Sequence, residues 1–91
     1  MDIEWDPEKA AANLAKHGVS FEEAASVFGD RLATTVPDPD HSVTEDRFLT
    51  TGLSGGGRVL IVWHAERQEA TRLIGAREAT GSERRIYETG E

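Results

Sequence analysis

No cysteine occurs among the 91 residues, so neither a disulfide framework nor a thiolate metal site can form, and a reducing compartment suits the chain. No apolar run approaches the roughly 20 residues that a membrane-spanning helix needs. The longest, Val59-Leu60-Ile61-Val62-Trp63, has the length of a buried strand. The opening Met1-Asp2-Ile3-Glu4-Trp5 lacks the basic and apolar regions of a secretory signal, and a cytoplasmic location is expected. Signatures of metal and cofactor chemistry are missing too. His17, His41 and His64 lie far apart, without the i, i+4 pairing of a zinc helix. The glycines at 55–57 lead into a strand pattern, and no GK[ST] follows, so they do not form a phosphate-binding loop. Gly52-Leu53-Ser54-Gly55-Gly56 has the GxSxG spelling, but it leads into a strand pattern rather than a helix, so it does not form a nucleophile elbow. Metal-dependent and covalent mechanisms are therefore disfavoured, and no cofactor and no metal are expected.

What is present suits one small domain spanning residues 1–91. A chain of this length buries only about 60–65 % of its unfolded surface, and its hydrophobic content of 37 % is enough for a single core. The net charge of −7 argues against indiscriminate coating of nucleic acid by the whole surface. Its distribution is uneven. Residues 1–46 carry Lys9, Lys16 and Arg31 against eleven carboxylates, whereas residues 47–91 carry seven arginines and no lysine against six carboxylates. Arginine suits bidentate contacts to phosphate or carboxylate, whereas lysine acts as a mobile point charge. The back half is therefore the candidate anion-binding half.

Local signals divide the chain into elements. Residues 2–5 alternate polar with apolar, as an edge strand does. Asp6-Pro7 opens a helix over 7–17, with Ala10, Ala11 and Leu14 as its apolar stripe and Gly18 as its left-handed stop. Ser20-Phe21-Glu22-Glu23 reads as a capping box for a second helix over 21–28, in which Glu23 reaches back to the cap. A strand is expected over 31–36, a loop over 37–42 and strands over 45–53, 58–65 and 70–77. Residues 54–57 and 66–69 are turns between them. A second capping box, Thr80 to Glu83, starts a final helix over 81–88. The expected fold class is α+β, with two N-terminal helices on one face of a four- to five-stranded, largely antiparallel sheet and a short C-terminal helix.

With metal and covalent routes disfavoured, the remaining side chains can carry out metal-independent phosphodiester chemistry. An RNA 2′-hydroxyl attacking its own phosphate needs a base, an acid and cations, with proton roles each contributing on the order of 10²–10⁴-fold. His64 and Arg67 fall at a strand end and its turn, where binding groups emerge. Arg77 closes the next strand. Strict alternation puts Arg58, Leu60, Val62 and His64 on one face of the central strand. In the last strand it sets Arg72, Ile74 and Ala76 against Leu73, Gly75 and Arg77. Each candidate also has a structural reading: His64 as a core histidine, His41 as a turn residue, and Arg47 paired with Glu45. Arg77 and Arg84 could pair with Glu78, Glu83 or Glu88, and Tyr87 could serve as a helix anchor. Trp5 and Trp63 read as core.

Motifs along nearly the whole chain resemble one known family. They comprise Trp5-Asp6-Pro7-Glu8-Lys9-Ala10, Asn13, Lys16 through Ala24, Val27-Phe28, His41-Ser42, Glu45 and Arg47. Gly57-Arg58, Glu66-Arg67, Arg72, Ala76-Arg77, Ala79-Thr80, Glu83-Arg84 and Tyr87-Glu88 continue the match. Together they resemble the BrnT family of toxins. The resemblance implies a RelE-like fold and a type II toxin–antitoxin role: a ribonuclease that slows translation and growth. A BrnA-like antitoxin from the adjacent gene would neutralise it and would contact operator DNA, with a 2:2 hetero-oligomer as one arrangement and no membrane partner. Under it, His64, Arg67 and Arg77 are expected as catalytic residues, with Arg47, Arg72, Arg84, Tyr87 and His41 binding RNA. The pI near 4.9 sustains an alternative, a catalytically weak binding module that acts as the antitoxin's partner and corepressor.

Overall fold

The structure is a computed structural model and describes residues 2–40 and 46–90. Strand β1 (Asp2–Glu4) leads into helix α1 (Pro7–His17) and helix α2 (Phe21–Ser26). Strands β2 (Thr34–Pro37), β3 (Arg47–Leu53), β4 (Val59–Arg67) and β5 (Ala70–Glu78) follow, and helix α3 (Gly81–Thr89) closes the chain. The five strands form one sheet in the order β1-β5-β4-β3-β2. The fold is α+β, but the sheet is mixed: β1 runs parallel to β5, while the other neighbours are antiparallel. The excursion of the chain through both helices accounts for this, because it brings β5 back beside the first strand in the same direction.

Local chemistry sets the element ends. Asp6 accepts the Glu8 N–H at 2.8 Å, Pro7 opens α1, and Gly18 at φ +69° ends it. Helix α2 is shorter than expected, because Val27–Gly29 tightens into a 3₁₀ turn. Ser20 caps it by accepting from the Glu23 N–H. The Glu23 carboxylate does not complete the box, since it binds Arg58 and Ser54 instead. At Thr80 both arms of the box do form. Pro37, expected in a loop, ends β2, which an edge strand allows because one side of it makes no ladder bonds. The β4–β5 hairpin is also tighter than expected, since β4 runs on through Arg67 and only Gln68 and Glu69 separate the strands. The expected loop and strand residues 41–45 lie outside the described residues.

The main core lies between the two N-terminal helices and the sheet. Val19, Phe21, Ala24 and Val27 meet Leu60, Val62, Leu73 and Ala76 there, with Ile3 and Trp5 at its margin. At roughly 1.5–3 kcal/mol for each large apolar side chain buried, this cluster is the main source of stability. Gly52 is required where β3 crosses under it, because a Cβ there would stand 2.8 Å from Val27 Cγ1. Helix α1 docks differently from its apolar stripe. Leu14 is 52 % exposed, and the buried residue is Asn13. Its amide donates to the carbonyls of Val19 and Ala76 and accepts from the Ala76 N–H. A smaller cluster of Val59, Ile61 and Ala79, with Leu49, Trp63 and Tyr87, occupies the opposite face under α3.

Candidate functional site

The sheet has two unlike faces. The helical face carries the core, whereas the other, among the described residues, is covered only at one end, by α3. Strand β5 changes phase halfway. Trp63 pairs with Gly75 and His64 with Leu73, so Ile74 has no partner on β4. This β-bulge turns Leu73 and Ala76 to the same helical face. It also turns Arg72, paired with Ala65, and Arg77, paired with Ile61, to the same open face. Strict alternation had set these two arginines on opposite sides. Arg47, opposite Ala65, and Arg67, at the end of β4, complete an open-face set of four.

These arginines form a strip rather than a cluster. Arg67 lies six positions along β4 from the partner of Arg77, which at ~3.3 Å per residue puts about 20 Å between them. Arg72 bonds Glu4 at 3.2 Å. Arg77 is held in a fork by both Glu83 oxygens, at 2.8 and 2.9 Å, with its guanidinium 5.4 Å from the Trp63 ring centroid. That pairing raises the Arg77 pKa and lowers the Glu83 carboxyl to about 2. Arg84 stands 3.6 Å from Glu78. Tyr87 donates its hydroxyl to Asp30, which also accepts from the Leu53 and Leu32 N–H groups. Those donors hold the Asp30 carboxyl below its usual range, and Asp30 in turn raises the Tyr87 pKa.

His64 is on the other side of the sheet. It is 3 % exposed, edge-on to Phe28 and stacked with Phe48. Its Nδ1 lies 2.8 Å from Glu66 Oε2 and its Nε2 lies 2.7 Å from Thr50 Oγ1. A carboxylate only accepts, so Nδ1 carries the proton and Nε2 accepts from Thr50, whose oxygen takes the Thr35 hydroxyl proton. Burial lowers the His64 pKa, with the Glu66 hydrogen bond and charge opposing the shift. The ring is thus neutral and has both nitrogens engaged. The expected trio of His64, Arg67 and Arg77 is therefore not brought together: the histidine faces the core, and the two arginines stand at opposite ends of the strip.

What sequence reasoning missed is Glu66. Its carboxylate accepts from His64 and, through both oxygens, from Thr71, yet its side chain is 43 % exposed. It is the solvent end of the buried polar chain. The spacing of Glu66 two residues after His64 on one strand was the available signal. His41 lies outside the described residues. Among the described residues no cluster of His, Asp or Glu could hold a metal ion, and no helix is long and apolar enough to cross a membrane.

Between α3 and strands β2 to β4, the open face is hollowed into a groove of about 650 Å³. Leu49, Ile61 and Trp63 form its floor, Leu32 and Val36 one wall, and Ile86 and Tyr87 the other. Arg77 and Glu83 stand at the boundary between this groove and the arginine strip.

Comparison with known proteins follows the same outline. Residues 5–83 match the family model described as the ribonuclease toxin BrnT of a type II toxin–antitoxin system. No curated protein gives a significant match. The fold is similar to the 1.1 Å crystal structure of the Brucella abortus ribonuclease toxin BrnT, with a TM-score of 0.70 and 28 % identity. That similarity covers 88 % of this chain and 97 % of the Brucella one.

Proposed function

The chain belongs to the BrnT family of ribonuclease toxins of type II toxin–antitoxin systems, and on that premise we propose that it cleaves RNA without a metal, slowing translation and growth. The observation that carries this reading is the open-face strip of Arg47, Arg67, Arg72 and Arg77. Surface ion pairs such as Arg72–Glu4 contribute only about 0–1 kcal/mol, so a phosphate backbone can exchange for the carboxylates along it. Arginine there stabilises charge developing on phosphorus, which needs donors fixed in advance.

In this mechanism the substrate supplies its own nucleophile. The 2′-oxygen attacks the adjacent phosphorus, the bond to the 5′-oxygen breaks, and a 2′,3′-cyclic phosphate and a 5′-hydroxyl result. Glu66 takes the 2′-hydroxyl proton, and a proton returns to the departing oxygen. His64 is a positioning residue, fixing Glu66 through Nδ1–H. Glu66 and the strip lie on opposite faces of β4, so the RNA reaches both by passing over the strand end beside Arg67, and Arg72 and Arg77 bind the chain on the open face. Arg84 and Tyr87 extend RNA binding from α3, and His41 is a further RNA-binding residue by family resemblance alone. An antitoxin of the BrnA type, from the adjacent gene, neutralises the toxin and carries the operator-binding part.

The test is growth and RNA integrity on expression in a bacterium without the neighbouring gene. Growth arrest with cleaved RNA, abolished by Glu66→Gln and weakened by Arg67→Ala, is expected. Normal growth with intact RNA would overturn the enzymatic reading. A second reading, a catalytically inactive partner and corepressor, is favoured by Arg72 and Arg77 being already paired with carboxylates. It predicts a stable complex with the antitoxin and no cleavage when the antitoxin is absent.

A further inference from the structure

The groove beside the arginine strip has a surface that RNA chemistry does not explain. Three aliphatic side chains point into it while largely in water: Leu32 is 74 % exposed, Val36 52 % and Ile86 53 %. Grouped apolar exposure of this kind, rimmed by polar residues, marks a protein-binding surface. Its floor is Leu49, Ile61 and Trp63, a sheet face that, among the described residues, α3 meets at one side through Tyr87. The rim charge is acidic, from Glu83 and Glu88, and Arg77, the cation present, is already engaged by Glu83. An apolar trough with carboxylate edges on a protein of net charge −7 repels a polyanion and complements an apolar segment with basic flanks. Along one wall runs β2, an edge strand of the sheet, whose outer backbone groups can pair with an added strand. Helix α3, the other wall, has no buried residue of its own and is held through Glu83 and Tyr87, which leaves Ile86 turned to the groove.

We propose that this groove is where the antitoxin docks, through an amphipathic segment whose apolar side chains fill the trough and whose basic residues meet Glu83 and Glu88. The inference rests on the proposed toxin–antitoxin reading and names the surface that carries it. It also gives a physical means of neutralisation. A segment lying in the trough ends against Arg77 and denies RNA that end of the strip, while the Glu66 end stays open.

The experiment uses the full chain and the protein encoded by the adjoining gene, with affinity measured by titration calorimetry. Leu32→Glu with Ile86→Glu places like charge in the trough at exposed positions, so the fold, followed by thermal unfolding, is retained. Leu14→Glu, equally exposed but on α1, is the control. The trough variant is expected to weaken the complex at least 100-fold and to leave RNA cleavage by the free toxin within about twofold. The Leu14 control is expected to bind as the original protein does. Glu88→Lys is expected to weaken binding and flatten its salt dependence. Unchanged affinity of the trough variant overturns the proposal alone, and so does a loss confined to Leu14→Glu. Loss of RNA binding with the complex intact would assign the groove to RNA and overturn it as well. If the original protein forms no complex at all, the partner reading fails and the groove proposal falls with it.

Discussion

Asn13 and Ala76, 63 positions apart in sequence, are joined by two hydrogen bonds: the Asn13 amide donates to the Ala76 carbonyl at 2.9 Å and accepts its N–H at 3.1 Å. This pairing fixes α1 on β5 just beyond the bulge. A third bond, to the Val19 carbonyl, ties in the start of α2. Replacing Asn13 by Ala leaves one buried N–H and two carbonyls without that partner. Unpaired buried groups cost about 1–3 kcal/mol each, and partial hydration offsets some of this. A loss of about 3 kcal/mol is expected in urea unfolding, far more than for Leu14→Ala on the same helix.

Acid sensitivity is expected to come chiefly from two of the carboxylates held by arginine, with Asp30, lowered by its N–H and hydroxyl donors, adding in the same direction. Glu83 is lowered to about 2, chiefly by the Arg77 fork, and Glu23 is lowered, chiefly by its hydrogen bond to Arg58. A folded value below the unfolded one means the unfolded chain binds more protons. The stabilisation is therefore complete above the unfolded value of about 4.3 and is lost as the pH falls toward 2. Thermal unfolding between pH 5 and 2 measures it. Glu83→Gln should lower stability at neutral pH and make the curve shallower in that window.

His64 predicts a second pH effect with the same sign and a different origin. Burial disfavours its charged form, so stability is present above the unfolded value of about 6.5 and falls as the pH drops through the folded one. The His64 ring signals, followed by NMR titration, should change below pH 6.5. His64→Gln should remove that part of the stability profile, and it should reduce cleavage through a misplaced Glu66.

The arginine strip predicts how RNA binding responds to salt. Each single-strand phosphate contact contributes about 0.7 to the slope of log K against log salt. Arg72→Ala and Arg77→Ala should each reduce the slope by about that amount, and Arg85→Ala on α3 should not. Oligonucleotide binding measured from 50 to 300 mM salt checks this. A slope that stays the same in both variants would remove the strip from the RNA-binding surface.

Much of the architecture was readable in the amino-acid order because it is encoded locally. Asp6-Pro7, Gly18 and the Thr80–Glu83 box determine helix ends through neighbours within four residues. The apolar run at Val59–Trp63 gave the central strand. What escaped depended on distant partners. Glu23 left its capping role because Arg58, 35 positions away, offers two bonds. Asn13 replaced Leu14 as the docking residue because β5 presents backbone groups there. The arginines were legible as a group and illegible as a surface, since one unpaired residue in β5 decides whether Arg72 and Arg77 share a face with each other. His64 was legible as the end of a strand face, but the two phenylalanines that bury it come from α2's continuation and from β3.

The bulge at Ile74 makes β5 behave as two half-strands of opposite parity. Closing that bulge would act as a switch of face for everything beyond it. With Ile74 taken into a regular ladder opposite Trp63, Arg72 would stay outward and Arg77 would swing beneath the helices, while Ala76 took its place opposite Ile61. Such a slip would put a cation into the core and break the arginine strip in a single step, whereas deleting Ile74 would keep the observed pairing and leave both arginines outward. The unpaired residue between Arg72 and Arg77 is thus as much a part of the open face as the two arginines themselves.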